Sequence, residues 1–196
     1  MIFSEDATGF SLDATPLKSE EQLKNGLWLT LVGINETPPH IAFISNGSYY
    51  SLSARKVDCG SSLSRFLNVL ERRYIPILFV HILTDKVIAG NEAISVNLLV
   101  EKIYKDLYPL ENTENTCLSP IKALFSEYYS DEFSNVNYVF ELLALAEKKG
   151  LIKECASLFC GDANSNIVTL PKYTMAQIKN KIQEISSLNN PTHAVH

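Results

Sequence analysis

Apolar residues in the first half of the chain fall into short, nearly continuous runs, a pattern typical of buried β-strands. Turn-forming or polar residues separate the runs. Asn46-Gly47 predicts a tight hairpin between the second and third runs, because both residues tolerate a positive φ. We therefore expect an antiparallel sheet. Its predicted strands are residues 27–33, 40–45, 49–55 and 75–83.

Two further segments of this half carry apolar residues at helical spacing. Their periodicity predicts helices over 62–73 and 95–107 that pack on the sheet. The polar residues 58–61 are expected to open the first helix, and residues 1–18 to form a loose arm. The stripe of the first helix is Leu63, Phe66, Leu67 and Leu70, and that of the second is Val96, Leu99, Val100, Ile103 and Leu107.

The second half begins after a polar stretch, Glu111 to Asn115, that predicts a linker. Helical patterns follow from Ser119, from Asn135 to Lys149 and from Thr174. Two apolar runs on either side of 161–166 predict a β-hairpin with a polar tip. The predicted fold class is α+β, an antiparallel sheet with packed helices followed by a mostly helical part with one hairpin. Residues 1–110 and 111–196 are the two predicted parts, either separate domains or one.

The overall composition is that of a folded globular protein. Hydrophobic residues make up 46% of the chain and charged residues 20%, which argues against a disordered chain. The net charge is −5, from 17 basic and 22 acidic side chains. Because nucleic acid carries a negatively charged backbone, this balance disfavours general nucleic-acid binding.

The sequence carries no pattern expected of a secreted or membrane protein. Residues 1–6 lack the basic flank and apolar run of a secretory signal. The most apolar stretch, 75–83, is too short to cross a bilayer as a helix. Four cysteines in a chain of this length do not form a disulfide framework. We therefore predict a cytoplasmic protein with reduced thiols and no membrane span.

Two residues have the order and context of a catalytic thiol pair. His40 begins an apolar strand, and Cys117 lies immediately before a predicted helix. A helix start can stabilise a thiolate through its partial positive charge and free N–H groups, and a histidine can remove the thiol proton. We take Cys117 as the candidate nucleophile and His40 as the candidate base.

At these residues the chain resembles the circularly permuted papain-like proteins, which include NlpC-type hydrolases and the lecithin–retinol acyltransferase group. The similarity lies in His40-Ile41-Ala42-Phe43-Ile44, the Asn46-Gly47 turn, Tyr49-Tyr50, and Asn115-Thr116-Cys117 before a helix. The resemblance covers about residues 27–130. It implies an amide or ester substrate and no cofactor.

The resemblance also implies a polar residue on the second strand that orients the histidine. Leu52 is near the matching position, which leaves Ser51 or Ser53 for this role. Ser119-Pro120 predicts a helix cap that places Cys117 just outside the helix. Residues 61–83 would be an insertion relative to the family.

Two classes of function remain open. The first, which we favour, is a non-catalytic protein that binds an unidentified protein or small molecule. In this case His40 hydrogen-bonds within the hairpin and Cys117 is a small buried apolar residue. The second is a thiol hydrolase or acyltransferase that uses Cys117 and His40. The sequence does not indicate the oligomeric state.

Other patterns in the second half predict neither DNA binding nor a metal site. Residues 118–171 resemble the end of a winged helix-turn-helix, but residues 111–196 hold 7 lysines, no arginine and 10 acidic residues. A DNA-reading module needs basic residues on its recognition helix and wing. Cys155 and Cys160 lack a second pair of ligands, whereas structural zinc prefers four.

Overall fold

The computed structural model describes residues 4–5, 9–53, 56–84, 96–106, 115–160 and 166–187. These ranges contain strands, α-helices and two short 3₁₀ helices, Glu20–Leu23 and Asp131–Asn135. The strands are β1 (Ser4–Glu5), β2 (Gly9–Asp13), β3 (Thr15–Pro16), β4 (Leu27–Val32), β5 (His40–Ser45), β6 (Ser48–Leu52), β7 (Val57–Ser62), β8 (Ile77–Ile82), β9 (Ile152–Leu158) and β10 (Ile167–Pro171). The helices are α1 (Leu63–Arg73), α2 (Val96–Asp106), α3 (Ser119–Tyr128), α4 (Val139–Lys148) and α5 (Met175–Ser187).

The chain combines its helices with a seven-stranded sheet, so the mixed helix and strand content predicted from the sequence is present. The strand order is β3-β9-β8-β4-β5-β6-β7, and the pairs are antiparallel except for β3, which runs parallel to β9. A smaller antiparallel sheet has the order β1-β2-β10. Within the described ranges, no helix has the length and apolar character that crossing a bilayer requires.

Helices cover both faces of the large sheet. Successive strand residues point to opposite sides, so each face contributes its own set of buried side chains. One face carries Leu29, Ile41 and Phe43 and packs against α2, α3 and α4; we call it the α3 face. The other carries Trp28 and Ile44 and packs against α1; we call it the α1 face. Burying each such side chain stabilises the fold by roughly 1.5–3 kcal/mol, so the two clusters hold the helices in place.

The predicted hairpin between β5 and β6 is present. Ser45 pairs with Ser48, and the turn residues Asn46 and Gly47 have φ values of 44° and 75°. These are the left-handed conformations that a tight two-residue turn requires. The hairpin fixes the register of β5 against β6 and therefore the neighbours of His40.

The polar residues 58–61 were predicted to open the first helix, and this is wrong. Residues 57–62 form β7, which pairs with the outer edge of β6, and Ser62 caps the helix by accepting a hydrogen bond from the N–H of Arg65. The segment lacks the alternation of a strand because it lies at the sheet edge. Its residues are half-buried or exposed there, so they leave no hydrophobic pattern in the sequence.

Two predictions are wrong for a shared reason: residues 1–18 as a loose arm, and a hairpin formed by the apolar runs on either side of 161–166. Residues 9–13 form β2 with Phe10 and Leu12 buried, and β2 pairs with β10. β9 pairs instead with β8 and β3. β9 and β10 therefore belong to different sheets. β9 lies in the large sheet, where Cys155 and Ala156 are buried, and β10 lies in the small sheet, where β2 is its partner.

The two predicted parts of the chain share one sheet. β9 belongs to the second part, yet it lies between β8 and β3 of the first. The helices predicted from Ser119, from Asn135 and from Thr174 correspond to α3, α4 and α5. The predicted boundary at 110/111, most of the linker and the tip at 161–165 lie outside the described residues.

Candidate functional site

His40 is positioned by the start of β5 and by the neighbouring strand β6. Its Nε2 lies 2.8 Å from the Oγ of Ser51, and the tautomer of the ring decides which atom donates. Ser51 pairs with Ala42, so it is the diagonal neighbour of His40 on the same face. The partner is therefore one of the two serines that the sequence left for this role.

The surroundings of His40 keep its imidazole uncharged at neutral pH. Burial lowers its pKa to about 4, although the negative charge of Asp58 acts in the opposite direction. Asp58 lies on β7, where it pairs with Lys56 and accepts a hydrogen bond from Ser61 at 3.1 Å. The carboxylate is thus engaged by other groups, and the loss of hydration dominates at the histidine.

Cys117 lies in a tight turn two residues before α3. The Ser119 N–H donates to the Thr116 carbonyl at 2.9 Å, and the Ser119 side chain accepts from the Thr116 N–H at 2.9 Å. Cys117 therefore lies just outside the helix as predicted, although the N-cap is Leu118 and not the predicted Ser119. The Cys117 side chain packs against the cluster of the α3 face.

The thiol of Cys117 is protonated at neutral pH. Burial raises its pKa, and hydrogen bonds from backbone groups that include Ile41 and Leu118 oppose this rise without overcoming it. A catalytic cysteine needs the reverse balance, because only the thiolate attacks a carbonyl carbon. At Cys117 the loss of hydration outweighs the stabilisation that the backbone hydrogen bonds give to a thiolate.

The structure places the two candidate residues in different environments. Cys117 packs on the α3 face beside Ile41, the residue that follows His40. Adjacent strand residues point to opposite faces, so the His40 side chain, hydrogen-bonded to Ser51, belongs to the α1 face. Cys117 thus lies close to the residue that follows His40 on β5, but the two side chains have different hydrogen-bond partners. The catalytic pair stays a hypothesis, and this arrangement does not favour it.

Among the described residues, neither the other cysteines nor a group of metal ligands forms a second candidate site. Burial raises the pKa of Cys155 to about 12. Cys160 donates from its sulfur to the Ile77 carbonyl at 3.0 Å, and Cys59 is exposed. Across the described part of the chain, no three His, Cys, Asp or Glu side chains are grouped so that they could hold a metal ion.

His81 is a packed residue of the α1 face. Its ring stacks on Trp28 with the centroids 4.2 Å apart, and its Nδ1 lies 3.1 Å from a carboxylate oxygen of Glu154. Gly26 is required beside it, because a Cβ there would lie 2.6 Å from the His81 Nε2. These contacts give His81 a structural role.

Sequence reasoning missed a surface at the end of α1. Arg65, Val69 and Arg72 recur at i, i+4 and i+7 and are exposed on the outer side of the helix, with Arg73 beside them. The buried residues Leu63, Leu67 and Leu70 lie on the opposite side. The sequence showed the pair Arg72-Arg73 but not what surrounds it.

Two exposed aromatic residues complete this surface. Tyr74 follows α1 and is 76% exposed; Phe159 follows β9 and is 42% exposed. Their rings meet edge to face with the centroids 5.4 Å apart. The pairing of Ile77 with Leu158 brings them to one end of the sheet, which local patterns cannot reveal. We call the six residues Arg65, Val69, Arg72, Arg73, Tyr74 and Phe159 the basic aromatic surface.

A cleft of about 280 Å³ lies on an adjoining flank of α1. It is bounded by residues 17–20, by Ser64, Asn68 and Glu71 of α1, and by Leu158. Lys18, Glu20 and Glu71 give it charges of both signs. The cleft therefore does not select for one sign of charge, in contrast to the neighbouring arginines.

Comparison of the chain with family models, curated proteins and solved structures finds no match. The resemblance to the permuted papain-like group therefore rests on the motifs around His40 and Cys117.

Proposed function

We propose that this protein acts by binding another molecule and not by catalysis. The observation that supports the proposal is the hydrogen bond of His40 to Ser51 on the α1 face, while the Cys117 side chain packs on the α3 face. In this arrangement the histidine orders the β5–β6 hairpin and the cysteine fills space beside α3.

The electrostatics of the two residues support the same proposal. A base accepts a proton from a thiol efficiently when the two pKa values approach each other. Burial instead lowers the pKa of His40 to about 4 and raises that of Cys117. The shifts move the two groups apart, so an ion pair between thiolate and imidazolium is disfavoured.

Alkylation with iodoacetamide across a range of pH, with the labelled cysteine mapped by mass spectrometry, tests the proposal. We expect Cys117 to react slowly at neutral pH, because burial both shields its sulfur and keeps it protonated. The exposed Cys59 is the internal control and should react faster. The variant His40→Ala should leave the ranking of the two cysteines unchanged.

The opposite outcome is well defined. Rapid labelling of Cys117 below neutral pH that disappears in His40→Ala would contradict a non-catalytic role. It would support the second candidate, a thiol hydrolase or acyltransferase that acts on an amide or ester with Cys117 as nucleophile and His40 as base.

One observation favours this second candidate. The Cys117 sulfur lies at the backbone of Ile41, the residue next to His40, and Ser51 makes the kind of contact to His40 that the papain-like resemblance implies for a polar residue on the second strand. A change in the side-chain direction of His40 would be needed for the pair to meet. The alkylation experiment separates the two candidates without knowledge of the substrate.

A further inference from the structure

We propose that the basic aromatic surface docks an acidic segment of a partner protein in which carboxylates alternate with apolar side chains. This inference rests on the proposed binding function and names where and what the protein binds. The surface comprises the outer stripe of α1, Tyr74 at the end of that helix, and Phe159.

Charge is the first argument. The chain has a net charge of −5, yet three of its four arginines lie on α1, where Glu71 is the one acidic residue. Among the residues that the structure describes, no carboxylate forms a salt bridge with Arg65, Arg72 or Arg73. A local positive surface on a negative protein attracts a negatively charged partner, and unpaired guanidinium groups can bind its carboxylates in a bidentate manner.

The backbone is the second argument. Tyr74 and Phe159 have φ values of 50° and 56°, a left-handed conformation that bulky side chains seldom adopt. Glycine or asparagine would fit these positions at lower cost. Both rings are exposed, so they contribute little to the core that could compensate for the strain. Strained residues of this kind cluster at binding sites.

The chemistry of the side chains defines the partner. Tyrosine and arginine are enriched among the residues that dominate protein–protein binding energies. Val69 and the two rings offer apolar contacts between and beside the arginines. A segment with alternating acidic and apolar residues matches both the arginines and the apolar side chains. Its carboxylates can bind the guanidinium groups, and its apolar side chains can pack on the rings. Nucleic acid is less suited, since its phosphate backbone carries negative charge at a higher density than such a segment, and the net charge of −5 repels it more strongly.

A fluorescence anisotropy experiment tests this proposal with a labelled peptide in which glutamate alternates with leucine. We expect the full-length protein to bind it, and the double variant Arg72→Glu/Arg73→Glu to lose at least about tenfold in affinity. The matched control is Lys102→Glu/Lys153→Glu, which makes the same charge change at exposed positions outside the surface. The control should lose less than about twofold, as expected for long-range screening alone.

A second variant separates binding from folding. Tyr74→Asn removes the ring from the surface but places a residue there that tolerates the left-handed conformation. We expect weaker peptide binding together with an unchanged or higher melting temperature. A variant that lost binding through misfolding would show a lower melting temperature instead.

Three results would overturn the proposal: no peptide binding by the unmodified protein, equal losses in the two double variants, or preferential binding of single-stranded poly-uridylate RNA. The first two exclude this surface, and the third replaces the acidic protein segment with nucleic acid. None of them alters the reactivity of Cys117, so the alkylation experiment still decides the proposed function on its own. Conversely, a reactive Cys117 would contradict that function while leaving the peptide result intact.

Discussion

The region around His40 and Cys117 and the basic aromatic surface differ in what surrounds their side chains. The first contains the residue types that perform chemistry, but His40 and Cys117 are half-buried and are held by Ser51 and by backbone groups. The second contains no nucleophile, but its arginines and rings are exposed. Residue type alone suggests that the first region is the functional site, whereas the accessibility of the side chains favours the second region as a binding site.

Hydration explains the contrast in physical terms. Burial disfavours charge, so the imidazole of His40 and the thiol of Cys117 both remain neutral at pH 7. The guanidinium groups on α1 stay in water and keep their charge. The neutral His40 and Cys117 can therefore pack within the fold, whereas the exposed arginines of α1 can attract a partner.

The largest expected effect compares the same substitution in a buried and an exposed environment. Phe125→Ala should reduce the free energy of unfolding by about 3–5 kcal/mol, because the ring is fully buried on the α3 face and contacts Phe43, Tyr129 and Phe133. The matched control Phe159→Ala should cost less than about 1 kcal/mol. Urea unfolding measures both. Similar losses at the two positions would show that Phe159 supports the fold and would weaken its assignment to a binding surface.

An intermediate effect concerns the pH dependence of stability. The pKa of His40 is about 4 in the folded protein and 6.5 in the unfolded chain. As the pH falls through this range, the unfolded chain takes up a proton that the folded protein does not. Stability should therefore fall by about 2–4 kcal/mol towards low pH.

The variant His40→Gln isolates this contribution, because glutamine does not titrate and its amide can still reach Ser51. Urea unfolding at several pH values should show a flatter dependence between pH 6.5 and 4 for the variant than for the unmodified protein. Identical dependences would mean that the imidazole is hydrated in the folded state, which would favour a more open site.

The smallest expected effect concerns the backbone at Tyr74. Tyr74→Asn should raise the free energy of unfolding by about 0.5 kcal/mol relative to Tyr74→Ala, because both remove the ring but only asparagine tolerates a positive φ well. Thermal melts of the pair measure the difference. Equal stabilities would show that the left-handed conformation carries no cost here, and one of the two arguments for the binding surface would be lost.

The elements with a strong local pattern were predictable from the sequence. The strands β4, β5, β6 and β8 and the helices α1 and α2 match the predicted segments within a few residues, because each buries a continuous run or a helical stripe. The turn at Asn46-Gly47 follows from the conformations that these two residues tolerate. β7 escaped prediction because an exposed edge strand needs no apolar residues.

The arrangement of the site was less predictable. The sequence left Ser51 and Ser53 open as partners of His40, and the register of the hairpin selects Ser51. Cys117 lies just outside α3 as predicted, but the predicted Ser119 cap is absent and Leu118 is the N-cap. Which face of the sheet α3 covers depends on long-range packing such as that of Phe125 on Phe43, which no local pattern encodes. The contact between Tyr74 and Phe159 likewise depends on the pairing of β8 with β9.

The position of β9 has a consequence for the order in which the molecule can assemble. A strand contributed late in the chain lies between two strands contributed early, so the sheet cannot close until synthesis has passed residue 158. Until then, β8 presents an apolar open edge that can template association with another nascent chain. Productive folding therefore depends on the late segment arriving before a second molecule does.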